Sequence, residues 1–376
     1  MTDTAPAITR TKPVHANPYR QKYALYLLVV CTRLITGLIS SGWQKPGGGQ
    51  YFALLISYLL SLTGAWAVSF LCRRAKKPLF DAIRCCCGRW AGGVIALVFL
   101  LFLIHNAQNL LYTLGNITVV RALPNVSSTI IILWAAAAAA IAAFCGLEAL
   151  GRFSRLTGKV IFAMLIISLL LPFENYNAAY LFPLLGSGPA ALTRLGISAG
   201  ADFFGVMLFG LIYDPKQDGR HFTRAMFLLP TCAFGICILF FLSTALMFPY
   251  SANGTVPLFD LLSVISAGRH VQTLASLFSF LWTGAFLVTS SAQLSFGTYA
   301  AETILPALGA KRRWVILALT ALVCTFAMLD NSRPHTLPVV KHYGWLLLYL
   351  PLWLCALAAA LRRRPQNGAS GAKEAA

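Results

Sequence analysis

Apolar runs bounded by charged or turn residues alternate along the chain with short polar segments. They read as Tyr23 to Trp43, Tyr51 to Leu71, Gly92 to Tyr112, Ser127 to Leu147, Leu156 to Phe173, Leu195 to Tyr213, Phe222 to Phe248, Thr273 to Thr298, Trp314 to Leu329 and Tyr343 to Leu361. A helix needs about 20 apolar residues to cross the hydrocarbon of a bilayer. The pattern therefore predicts an all-α polytopic membrane protein with ten transmembrane helices over residues 23–361, flanked by polar tails at 1–22 and 362–376. The fifth and ninth runs are short, and Lys159 is expected to snorkel at the start of the fifth.

Two runs are interrupted. The sixth, LGISAGADFFGVMLFGLIY, carries Gly196, Ser198, Gly200, Gly205 and Asp202. At ~1.5 Å rise per residue Asp202 lies ~12 Å from Arg194 and ~18 Å from Asp214, near mid-depth. An acid there marks a functional site by default. Glycines around it permit unwinding, which membrane depth tolerates only in buried or cavity-lining backbone. Gly196 and Gly200 also fit a small-xxx-small packing face, a reading that leaves the aspartate unexplained. The first run has a matching interruption at Thr36, Gly37, Ser40, Ser41 and Gly42. Ten helices divide into halves of five, about 23–173 and 195–361, led by these two runs. Inverted-repeat transporters break their leading helices at the substrate site, so the arrangement predicts a 5+5 inverted repeat with broken first and sixth helices.

Composition agrees with the pattern: 376 residues are 58% hydrophobic and 11% charged, with mean hydropathy +0.72. The net charge of +19 changes the picture only through its location. The basic residues cluster between apolar runs and form no stripe with aromatic interleaving, which excludes a nucleic-acid partner. With a cytoplasmic N-terminus, 23 of the 30 Lys and Arg residues fall on inside segments and 6 outside, which predicts both termini inside. The polar, basic start and the length of the first run predict no cleavable signal peptide. Six cysteines lie in apolar runs as small core residues, and the adjacent Cys85, Cys86 and Cys87 lack zinc-ligand spacing.

Arg33 belongs to neither face, lying ~16 Å beyond Lys22. It is the one base of the membrane core and Asp202 the one acid, so the two are expected to pair, or Arg33 to meet backbone carbonyls or a ligand carboxylate. A fixed guanidinium there would also stand where ion-coupled transporters hold sodium. In the third run His105, Gln108, Asn109 and Tyr112 share one helical face, which looks either at the cavity or at a partner helix. The eighth carries Thr289, Ser290, Ser291, Gln293 and Ser295, hydroxyls that either meet a ligand or bond back to their own helix. The candidate ligand set is Arg33, Thr36, Gly37, Ser40, His105, Gln108, Asn109, Tyr112, Gly196, Ser198, Gly200, Asp202, Thr289, Ser290 and Ser291. VPLFDLLSVISAGRH, between the seventh and eighth runs, reads as an amphipathic outer helix that caps the mouth or docks a partner. No paired carboxylates, zinc set or nucleophile constellation gathers at one face, so an enzyme is not expected, nor a cofactor.

Gly146, Leu147 and Glu148 with Arg152, then LFPLLGSGP at Leu181 to Pro189, the sixth run, and LFSFLW at Leu277 to Trp282 give the chain its resemblance. In that order, and most clearly over residues 145 to 305, it resembles the spore germination permease family, the membrane B subunits of nutrient-germinant receptors. The resemblance implies a LeuT-like fold of the amino acid, polyamine and organocation superfamily, a small nutrient ligand such as an amino acid, and residence in the spore inner membrane. It also implies partnership with an A subunit and a lipoprotein C subunit, in contact with membrane lipid; the alternative is an amino acid permease of the same superfamily. Thr36 and Gly37 stand where relatives tend to show a richer glycine motif, and Val288 where many show lysine, which implies a different ligand or ion preference.

Overall fold

A computed structural model describes residues 18–39, 49–121, 123, 125–170, 173, 176–186, 188–215, 219–247, 269–332 and 338–361. Among the described residues the chain is helical, with no strand. The helices are α1 (Pro18–Ile39), α2 (Gln50–Ala75), α3 (Leu79–Cys87), α4 (Arg89–Arg121), α5 (Ser128–Phe144), α6 (Gly146–Leu170), α7 (Pro189–Ala199), α8 (Gly205–Leu211), α9 (Gly219–Met247), α10 (Arg269–Ile304), α11 (Arg312–Ser332) and α12 (Pro338–Leu361). Among the described residues each of the ten apolar runs falls mainly on helix. Five stretches among the described residues are long and apolar enough to cross a membrane unaided: Gln50–Ala75, Arg89–Val119, Pro189–Leu211, His221–Ser243 and Pro306–Leu329. The α5 and α6 helices meet that test as a pair bent by 111°.

Two local elements differ from the sequence reading. The polar segment expected between the fourth and fifth runs is helix: α6 begins at Gly146, whose φ of +85° breaks the path of α5, and an Arg152–Glu148 pair of 3.0 Å spans its first turns. The basic stretch around Cys85 holds α3, which has no span of its own. Leu79, Phe80, Ala82 and Ile83 bury its apolar face, and the spacing of Leu79, Phe80 and Ile83 was the available signal.

Three long hydrogen bonds bring the basic clusters to one face. Lys22 Nζ donates to the Ile212 carbonyl at 3.2 Å, Arg73 to Thr223 Oγ1 at 3.2 Å, and Arg84 to the Thr303 carbonyl. The opposite end is tied by Tyr51, whose hydroxyl donates to the Leu184 carbonyl at 2.7 Å. Between these ends, Leu101, Trp134, Ile141 and Leu170 stay exposed, as a lipid-facing surface requires.

The segment at the centre is α7–α8. The α2 helix lies beside it in parallel: the open faces of Gly196, Gly200 and Gly210 meet Ile56, Leu60 and Val68 in turn. The α1 helix runs antiparallel to it, with Val30 against Gly205. Glycine lets these backbones approach to within side-chain reach, and dense contact replaces the hydrophobic drive that lipid does not provide.

Candidate functional site

The sixth span is not unwound at its glycines. Gly200–Phe204 winds as a tighter 3-10 turn between α7 and α8, a form that often marks a hinge within a longer helix. Phe204 wedges against Phe99 and Phe102 of α4, at ring distances of 5.9 and 5.0 Å, and Phe203 faces Tyr58 of α2. Side chains from neighbouring helices take up the carbonyls along the span. Ser57 donates to Gly196 O at 2.7 Å, Tyr349 of α12 to Gly200 O at 3.1 Å, and Cys72 to Gly210 O at 3.7 Å. This is the satisfaction that irregular backbone at membrane depth demands.

Inside that turn, Asp202 Oδ1 lies 3.2 Å from Arg33 Nη2, with side chains 13% and 10% exposed. The expected pair is formed. Its depth follows from the register of α1 against the sixth span: Lys22 meets Ile212 at the basic face, Val30 meets Gly205, and Arg33 meets Asp202 about 16 Å from Lys22. The ion pair uses one guanidinium nitrogen. Arg33 Nε and Nη1 are buried and have no hydrogen-bond partner among the described residues. A guanidinium has five donors and no acceptor, so this one keeps capacity for a second carboxylate-like group.

The other candidates divide by place. α1 stays regular helix through Thr36 and Gly37 to Ile39, so the break expected at those two residues does not occur there, because both fit helical geometry and only a tertiary demand would open it. Their side chains, and Ser40, Ser41 and Gly42, lie outside the described residues, as does most of VPLFDLLSVISAGRH. Gly196 and Gly200 turn their open faces to α2, which is the packing alternative: a Cβ on Gly196 would meet Ala53 O and Ile56 Cβ, each at 2.7 Å, and one on Gly200 would overlap Leu60. Ser198 Oγ bonds back to Leu195 O at 2.8 Å.

On α4, Gln108 is buried and His105, Asn109 and Tyr112 are half-buried. On α10, Thr289, Ser290 and Ser291 are all buried, and Ser291 bonds back to Leu287 O at 2.6 Å. These helices form an antiparallel pair, the most extensive helix packing among the described residues, and Gly297 marks their register against Leu100. Ala107 lies seven residues beyond that contact on α4 and Ser290 seven residues before it on α10, so the two polar stretches lie toward the same end of the antiparallel pair. The structure adds Asn106, one residue off the predicted face, fully buried and with neither amide atom hydrogen-bonded among the described residues; the Thr289, Ser290 and Ser295 hydroxyls likewise have no partner among them. Tyr349 and Ser57 were also missed, since nothing in an apolar run tells which hydroxyl meets a carbonyl on another helix.

Tyr349 adds a second hydrogen bond to the carbonyl that opens the 3-10 turn, so Tyr349→Phe is expected to cost about 0.5–1.5 kcal/mol. A thermal melt of the purified protein checks this: the melting temperature should drop by a few degrees with membrane insertion intact.

The family model described as spore germination protein matches residues 24–336. The chain belongs to this spore germination protein family. No curated protein sequence matches it significantly. Among solved structures, the family member is similar to a substrate-bound, outward-open sodium-coupled sialic acid symporter, with TM-score 0.64 and 12% identity over 91% of this chain and 90% of that one. It is also similar to the manganese transporter of Eremococcus coleocola, with TM-score 0.52 and 14% identity over 90% of this chain and 76% of that one. At such identities the likeness shows the fold alone, a LeuT-like transporter fold. Family and fold together make the chain a permease-like membrane protein and point away from an enzyme.

Proposed function

We propose that this protein is the B subunit of a nutrient-germinant receptor and that it binds a small zwitterionic nutrient, an amino acid by preference, beside Arg33 and Asp202. The observation that carries the reading is the buried pair itself, with unspent donors on its cationic member. A zwitterion is the complement of such a pair: its carboxylate takes the guanidinium and its ammonium the aspartate. The tightened 3-10 turn of the sixth span at Gly200–Phe204 holds Asp202 against Arg33 at that depth. The basic face is cytoplasmic by the positive-inside rule, with ten spans in two inverted halves and the spore inner membrane as its location. Gln108, Asn109, Thr289 and Ser290 would border the ligand on the α4 and α10 side.

The role is signalling through partners. The described residues are almost all helix of one membrane domain, and an A subunit and a lipoprotein C subunit would carry the output. Two measurements test this. Amino acid titration into the purified protein should give saturable binding that is equal in sodium and in potassium, because Arg33 supplies a fixed positive charge. Expressed alone in a non-sporulating host, the protein should give no ligand-triggered ion release; full release would count decisively against the receptor role. The transporter fold supports a second reading, an amino acid permease, which concentrative uptake in proteoliposomes would favour.

A further inference from the structure

We propose that the cleft between the α5–α6 corner and the start of α11 is a headgroup site for an anionic phospholipid. The cleft has a volume of about 470 Å³, with Phe144 and Gly146 on one side and Lys311, Arg312, Arg313 and Trp314 on the other. Its three consecutive cations are exposed, and none has an ion-pair or hydrogen-bond partner among the described residues. The nearest acid along the chain from Gly146 is Glu148, and Arg152 already holds it at 3.0 Å. A 3-10 helix over Pro306–Lys311 leads straight into α11 at Arg312, so the three cations stand in consecutive positions on one helical path, with no acidic residue in the first turn of α11. Gly146 keeps the floor bare: nothing lies within 4 Å of where its Cβ would stand.

The rim decides what kind of anion fits. Trp314 is 71% and Phe144 42% exposed at the mouth of a cationic cleft. Free phosphate would use the cations but has no use for two aromatic side chains. A phospholipid uses both, its phosphate among the cations and its glycerol and upper chains along indole and phenyl, at the depth where tryptophan settles in bilayers. The cleft lies on the face that carries the other basic clusters, since Arg84 binds the Thr303 carbonyl just before the link to α11.

The test is lipid retention by the full purified chain, measured by native mass spectrometry and thermal melts in detergent with added phosphatidylglycerol or phosphatidylcholine. Phosphatidylglycerol should be retained about tenfold better and should raise the melting temperature. The triple variant Lys311→Gln, Arg312→Gln, Arg313→Gln should lose that preference, while Lys76→Gln, Lys77→Gln, Arg89→Gln, with the same change in net charge, should keep it. Equal loss in both variants would reduce the effect to general surface charge and overturn the site. Stabilisation by inorganic phosphate alone would overturn the lipid assignment, as would an acidic peptide that displaces lipid more tightly than phosphatidylglycerol binds. Brominated phosphatidylglycerol should quench less tryptophan fluorescence in Trp314→Phe than in the unaltered chain, a readout independent of the charge variants; equal quenching overturns the site.

Discussion

Arg33→Met and Asp202→Asn are each expected to abolish nutrient binding and to lower stability by about 3–5 kcal/mol, the cost of leaving one member of a buried ion pair without its partner. The double variant is expected to be less destabilised than the sum of the two. The reason is geometric: at 3.2 Å and near mid-membrane, each charge neutralises the other, so removal of the second after the first relieves an unpaired group. Stability and binding should also separate. The double variant should recover part of its melting temperature and none of its affinity, since in the proposed site the ligand carboxylate needs the guanidinium donors of Arg33 that the ion pair leaves unspent. Strictly additive melting shifts would show that the two side chains act as separate polar sites.

Gly200→Leu is expected to be damaging through overpacking of the sixth span against α2. Its first side-chain carbon would already overlap Leu60 of α2, and the turn it begins is held by Tyr349. Overpacking of a tight helix contact costs about 1–3 kcal/mol or more. The structure also names the compensating change. Gly200→Leu with Leu60→Ala restores room on the α2 side, so it should regain much of the lost melting temperature. If Gly200→Leu instead folds with unchanged stability and only binding is lost, the glycine faces the ligand and not α2.

The membrane class, the apolar stretches on which the long described helices lie and the Arg33–Asp202 pair were legible in the chain. Each follows from a one-dimensional rule with a large energy behind it: hydrocarbon demands about 20 apolar residues per crossing, and it penalises a lone charge so heavily that the only deep acid and the only deep base have one obvious remedy. α3 was hidden because nine residues of mixed polarity beside a basic segment look like loop until the α2–α4 side offers their apolar face a surface. The early start of α6 was hidden because Arg152 and Arg155 read as a boundary, whereas charged side chains at a helix end reach water without ending the helix.

What the tertiary structure alone decided is how the polar and small residues are used. Glycine at 196 and 200 is compatible with an open site and with close packing, and the position of Ile56 and Leu60 on α2 selects packing. A tyrosine in the last apolar run is one aromatic among many until α12 brings its hydroxyl to the carbonyl of Gly200. Asn106 adjoins a face that periodicity drew, and only the α4 and α10 packing buries it with its amide unspent. The physical reason is range. Hydrophobic length and the cost of buried charge are properties of a segment in its solvent, so composition and spacing carry them. Short-range directional contacts depend on which helix stands opposite, and no local pattern contains that.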